Sequence, residues 1–179
     1  MSEYAQEIFA NTLNHLLNKH QLSHISVSQL AKESGLSRRT FYNNYIDIYD
    51  FIFSVHFTRT QNSRDLFWEN RDFYSTTLSS LRTIKKYRKF YKELIKLQGQ
   101  NSFINSLISF LMGINSKLIQ HPINRELEFC LELYWAGFAY KLCQWIEHDM
   151  IIPEKEFVQM LENSMPEQLK PYFHLNLCT

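Results

Sequence analysis

Arg38, Arg39, Tyr42 and Asn43 fall within one short stretch of the chain, and their side chains carry the chemistry that reads DNA. An arginine fork matches O6 and N7 of guanine, and an asparagine amide matches N6 and N7 of adenine. Phe41 and Tyr45, four residues apart, belong on the opposite side of any helix running from Arg38 to Tyr45. There they can pack inward with Leu30 and Leu36. The polar side chains are left facing out, at the N-terminal end of the helix where base edges are usually contacted. The bland alternative is an ordinary solvated helix face.

Such a face needs elements to hold it. Ser37 has the position of an N-cap for the helix. Upstream, Ser26-Val27-Ser28-Gln29 has the form of a capping box, opening a short helix that buries Val27, Leu30 and Ala31. Gly35 follows, the residue best suited to the left-handed conformation that ends a helix. Two short helices joined by a glycine turn make a helix-turn-helix. Before them, Ser2 can cap a helix with apolar positions Ala5, Ile8, Phe9, Leu13, Leu16 and Leu17 in helical register, fading into the polar stretch from Asn18 to His24. After them, Asp47 can cap a longer helix starting with Phe51, Ile52 and Val55. The expected division is a helix-turn-helix domain at 1–46 and a larger helical domain at 47–179.

Composition agrees with an all-α chain. Among 179 residues there are only four glycines and four prolines, too few breakers for many short strands or a glycine-rich phosphate loop. Hydrophobic residues at 45% and charged residues at 21% suit an ordinary globule. The longest apolar run, Leu107 to Ile114, is far short of the roughly 18 residues a membrane span needs. The N-terminus has no basic and apolar leader pattern. Three cysteines, Cys130, Cys143 and Cys178, are an odd count without paired spacing, which suits the cytoplasm. Cys143, Glu147, His148 and Asp149 give no tetrahedral ligand set at close spacing, so no metal or cofactor is expected. His15, His20 and His24 are expected at the surface. No nucleophile elbow, zinc-protease or Walker signature is present, and the chain is read as a non-enzyme.

Charge is unevenly placed. Residues 1–50 carry −1, residues 51–100 carry +6 and residues 101–179 carry −4. The basic excess lies in Arg82, Lys85, Lys86, Arg88, Lys89, Lys92 and Lys96, with Leu81, Ile84, Tyr91, Leu94 and Ile95 on the other side of the same helical pattern. A solvated polar face is the first reading of this run and a phosphate-tracking stripe the second. Aromatics are dense from Phe67 to Phe110, either as core or as the wall of an apolar ligand cavity. Between Arg125 and Asp149 the pattern is apolar on two sides. Leu127, Leu131, Tyr134, Phe138, Leu142 and Trp145 form one row. Phe129, Leu133, Ala136, Tyr140 and Cys143 form the other. A helix with two apolar rows must bury both, the second either against a partner chain or within its own. A final helix opened by Pro153, with Phe157, Val158 and Leu161, would flank it.

The segment from Ile25 to Tyr45 resembles the DNA-binding region of TetR/AcrR-family bacterial transcriptional regulators, through Leu30, Ala31, Gly35, Leu36, Ser37, Thr40, Phe41 and Tyr42. The resemblance implies base-reading roles for Arg38, Arg39, Thr40 and Asn43. It implies phosphate contacts from Ser28, Tyr42 and Asn44. Where members commonly place a phosphate-gripping lysine, this chain has Ile48. The stretch from Lys85 to Gly99 followed by Phe103, and later Trp135-Ala136-Gly137-Phe138 and Trp145-Ile146, resembles the C-terminal domain of a subgroup that includes the dihydroxyacetone-kinase regulators. The implied function is a dimeric, ligand-responsive regulator, a repressor by type, on palindromic double-stranded operator DNA. Its small-molecule effector would meet Tyr87, Tyr91, Phe103 and Phe110, and its homodimer interface would use Phe129, Leu133, Ala136, Tyr140, Phe157 and Leu161. The subgroup also contains co-activators that work through protein contacts, so a co-regulator without its own operator is the alternative.

Overall fold

The computed structural model describes residues 3–174, and ten α-helices account for most of them. Ser2, the expected first cap, and Cys178 lie outside the described residues. Three helices come first: α1 (Glu3–Leu16), α2 (Val27–Ser34) and α3 (Arg38–Tyr42). Seven follow: α4 (Ile48–Arg59), α5 (Gln61–Asn70), α6 (Phe73–Lys86), α7 (Arg88–Leu94), α8 (Phe103–Leu118), α9 (Arg125–Glu147) and α10 (Glu154–Asn163). Among the described residues, extended pairing is confined to one parallel bridge between Asp72 and His174. No described helix is long and apolar enough to cross a membrane.

The caps are local chemistry made visible. Ser26 Oγ accepts from the Gln29 amide and Ser37 Oγ from the Thr40 amide, while Gly35 closes α2 at φ 70°. Asp47 accepts from the amides of Tyr49 and Asp50, both at 2.8 Å, to start α4. Each such cap satisfies orphan donors and is worth about 1 kcal/mol. Pro153 precedes α10 as its N-cap residue.

Two boundaries depart from the helical pattern. The basic segment is not one helix: it breaks at Tyr87, between α6 and α7. The break turns Phe90, Tyr91 and Leu94 into the core. Beneath it the Arg59 guanidinium stacks on the Tyr87 ring at 3.9 Å and the Phe90 ring at 4.3 Å. The second departure is α3, which ends at Tyr42 and not at Tyr45.

Packing is pairwise: α1 lies against α2, α5 and α10 against α6, and α8 along α9. The junction between the first three helices and the remainder is carried by α4, whose Phe51, Ile52 and Val55 are buried. Arg59 at its far end donates to Asn14 Oδ1 on α1 at 2.8 Å. Two further ties connect the α1–α2 loop with α7: Leu22 N–H to a Glu93 carboxylate oxygen at 3.0 Å, and Lys89 Nζ to Asn18 Oδ1 at 2.6 Å.

Candidate nucleic-acid interface and apolar cavity

The short α3 is anchored from one side. Phe41 is fully buried, and its ring meets Phe9 of α1 at 5.6 Å, Tyr45 at 5.2 Å and Phe51 of α4 at 5.6 Å. Arg38, Arg39, Tyr42 and Asn43 are exposed on the outer side. The Arg38 guanidinium lies 5.8 Å from the centre of the Tyr42 ring, which pre-orders both. Ser28 is exposed on the first turn of α2.

The remaining expected contacts are already engaged. The Thr40 hydroxyl is 2.9 Å from Ser37 Oγ within the cap, and the Asn44 amide donates to the Thr40 carbonyl at 3.0 Å. These side chains hold the ends of α3, with Asn43 as its C-cap residue. Tyr45 is buried just beyond the helix. Ile48, standing where a lysine is common, is half-buried and packs on the core.

The basic run does not form a free stripe. Lys85 pairs with Glu154 at 3.1 Å, Arg88 and Lys92 both pair with Asp149, and Lys96 pairs with Glu93. The Asp149 carboxyl is held below the usual carboxylate range by hydrogen bonds from Lys92 and Arg88. The excess cations of the middle segment therefore face the excess anions of the last one. Pairs this exposed contribute little to stability, but they occupy the charges a phosphate stripe would need.

Behind the first three helices lies a cavity of about 130 Å³. His56 and Phe57 of α4, Arg64 and Phe67 of α5, Phe73 and Thr76 of α6 all reach it. Phe103, Phe110, Trp135 and Phe138 supply the wall from α8 and α9. Of the four residues expected to meet an effector, Phe103 and Phe110 line this cavity. Tyr87 and Tyr91 do not line the cavity. Tyr87 is covered by Arg59, and Tyr91 is fully buried behind the wall with its hydroxyl 3.1 Å from His56 Nδ1. Burial lowers the His56 pKa to about 4, helped by the charges of Arg64 and Arg59. The sequence did carry a signal for the missed wall: His56, Thr60, Ser63, Arg64 and Phe67 recur at helical spacing, mixing polar and aromatic residues on one stripe.

On α9 the two rows separate. Leu127, Leu131, Tyr134, Leu142 and Trp145 are buried. Phe129, Leu133 and Tyr140 are 65%, 64% and 53% exposed, and Ala136 beside them is also exposed. Among the described residues these four are therefore not covered by their own chain, while Cys143 at the end of the row is half-buried against the core. Phe157 and Leu161, expected alongside that row, are instead interior. Phe157 stacks on Trp145 at 5.3 Å, and the Leu161 carbonyl accepts from the Tyr134 hydroxyl at 2.8 Å. Because α10 packs its apolar side onto α6, Met160 is left as an exposed large apolar side chain on its outer side.

A capped helix-turn-helix on an all-helical body with an apolar cavity is the architecture of a transcriptional regulator. Residues 71–167, over half of the chain, match a TetR-type family model described as "Transcriptional regulator C-terminal region", and the chain belongs to the TetR family of transcriptional regulators. Among solved structures it is similar to the "Dihydroxyacetone kinase operon activator DhaS", with 17% identity and a TM-score of 0.65 over 97% of this chain and 100% of that one. A TetR-family transcriptional regulator from Streptomyces coelicolor shares 15% identity at TM-score 0.58, covering 91% of this chain and 79% of that chain. The fatty acid degradation regulator FadR from Bacillus halodurans shares 14% at TM-score 0.53, covering 87% and 94%. At these identities the likeness is one of fold. No curated protein matches the sequence.

Proposed function

We propose that this chain is a homodimeric, effector-responsive regulator that binds palindromic operator DNA through α2 and α3, and that the effector occupies the cavity. The observation that carries this reading is the exposure of Arg38, Arg39 and Asn43 together on a helix whose other side is locked by Phe41. Arg38, Arg39 and Asn43 read bases, and Ser28 and Tyr42 contact phosphate. Thr40 and Asn44, whose polar atoms serve the helix ends, position the others. Two such heads must sit about 34–36 Å apart to enter successive major grooves.

Effector and operator communicate through α4. On that helix Phe51 meets the Phe41 ring of α3 at 5.6 Å, and His56 and Phe57, with Thr60 just past its end, line the cavity. A ligand that displaces the cavity stretch also tilts the helix on which Phe41 rests. Binding of effector and operator then oppose one another by a single coupling factor.

Selection from random duplexes at low salt is expected to yield a palindromic site. Arg39→Ala should weaken binding to it by about 1–3 kcal/mol per lost base contact and relax the preference at one base pair per half-site, while Tyr42→Phe weakens all sequences alike. Failure to select any site, with a protein partner lost in Arg39→Ala, would establish the co-regulator instead.

Dimerisation rests on the uncovered row of α9. Sedimentation at micromolar concentration should give twice the chain mass of 21.5 kDa. Leu133→Glu should raise the dissociation constant roughly 30-fold, about 2 kcal/mol, by placing an unpaired charge in the interface. A wild type that sediments as a monomer contradicts the proposal.

A further inference from the structure

Trp135 is 3% exposed, and its indole Nε1 has no hydrogen-bond partner among the described residues. The contrast lies on the same helix: Trp145 Nε1 donates to the Ile152 carbonyl at 2.8 Å. Buried indole donors ordinarily find an acceptor, and an unmet one is costly. A second polar atom, Thr76 Oγ1, is also buried and unpartnered. Both residues line the cavity.

Ring contacts put the two at one end of it. Trp135 meets Phe138 at 5.5 Å and Phe173 at 5.9 Å. Phe73, one turn before Thr76 on α6, meets those same two rings at 6.3 and 6.0 Å. His56, Phe57 and Arg64 also line it, with Arg64 over the Phe57 ring at 5.2 Å. No aspartate or glutamate is among the lining residues. The wall is therefore aromatic and cation-bearing, with unmet hydrogen-bonding capacity concentrated at the Trp135 end.

We infer that the cavity selects a compact, neutral carbonyl compound, an aryl or branched-alkyl ketone or ester, whose oxygen accepts from Trp135 Nε1 and from the Thr76 hydroxyl. This deepens the effector reading above and rests on it. An engineered cavity of about 150 Å³ holds benzene, so about 130 Å³ limits the ligand to about one ring, with any substituent reaching toward the open side of the cavity. A cation would meet Arg64 and find no carboxylate. A carboxylate whose oxygen met Trp135 Nε1 would be stripped of water among aromatic rings. A plain hydrocarbon would leave both polar atoms unmet. The neutral acceptor satisfies them without burying charge.

The test uses the full chain without DNA and four probes of similar size: acetophenone, ethylbenzene, benzoate and benzylamine. Titration calorimetry and thermal shift should show acetophenone binding at least about tenfold more tightly than each of the others, the factor expected for one well-made hydrogen bond. Trp135→Phe keeps an aromatic ring and removes the donor, so acetophenone and ethylbenzene should then bind with nearly equal affinity. Thr76→Val should narrow the same gap several-fold, and it decides the matter if Trp135→Phe does not fold. Equal binding of acetophenone and ethylbenzene to the wild type, preference for benzoate or benzylamine, no binding of any probe, or a gap unchanged in the variants would each overturn the inference. Failure to select an operator would instead sink the DNA-binding reading and leave a carbonyl preference standing.

Discussion

Phe41→Ala is expected to cost about 3–5 kcal/mol of unfolding free energy, the range for emptying a fully packed aromatic site. The Phe41 ring is the hub of an aromatic cluster with Phe9, Tyr42, Tyr45 and Phe51, drawn from α1, α3, α4 and the turn between the last two. Each such ring pair adds to the area term by about 0.5–1.5 kcal/mol. With only five residues, α3 is too short to persist without that anchor. Urea unfolding followed by circular dichroism should show the loss, and any selected duplex should no longer be bound. Tyr42→Phe is the control: it keeps the ring and removes only the hydroxyl of a side chain 48% exposed, so stability should stay within about 0.5 kcal/mol of wild type. A loss below about 1 kcal/mol for Phe41→Ala would mean that α3 is held by something other than this cluster.

The second large effect is a pH dependence. His56 sits among the rings of Phe57, Tyr91 and Phe103, with centroids 5.7, 5.7 and 5.2 Å away, and with Arg59 and Arg64 as its charged neighbours. Its pKa in the folded chain is lowered to about 4, against the ordinary histidine value of 6.5. Below the unfolded pKa the unfolded chain takes up a proton that the folded chain refuses. Stability is therefore complete above about pH 6.5 and is lost as pH falls toward 4, by up to about 3 kcal/mol. The other histidines are exposed. Asp149 and Glu154 have pKa values held below the carboxylate range, so their loss falls at the acid end of this window and beyond. Unfolding free energies measured from about pH 7 to about pH 4.5 should decline steeply in wild type and much less in His56→Gln. Parallel profiles for the two proteins would show that the imidazole is protonated without penalty. The same titration bears on the cavity, because a protonated His56 adds positive charge to its wall.

Much of the head is legible from the chain alone. Ser26, Gly35, Ser37 and Asp47 act within three residues of themselves, so their roles follow from local backbone geometry. The sorting of Phe41 inward and Arg38, Arg39 and Asn43 outward follows from helical periodicity. So does the division of α9 into two rows. The extents are less secure. The end of α3 at Tyr42 and the break at Tyr87 depend on partners beyond the next turn: Asp50, which accepts from the Ile46 amide, and Arg59, which stacks beneath Tyr87.

An all-helical chain, a short helix with Arg38, Arg39 and Asn43 on its outer side and the caps that bound it can all be written down from the order of the residues, because each depends on contacts spanning one turn. Which aromatics are wall and which are core cannot. Periodicity marks a residue as facing inward, but whether it meets another side chain or a cavity depends on how the helices cross. Tyr91 is thus turned behind His56, Phe157 is claimed by Trp145, and Phe129 and Leu133 are left uncovered on the same helix that buries Trp135. The unmet donor of Trp135 and the depressed pKa of His56 belong to this second kind. Both arise from surroundings assembled out of several helices, and neither can be read from the residues beside them in the chain.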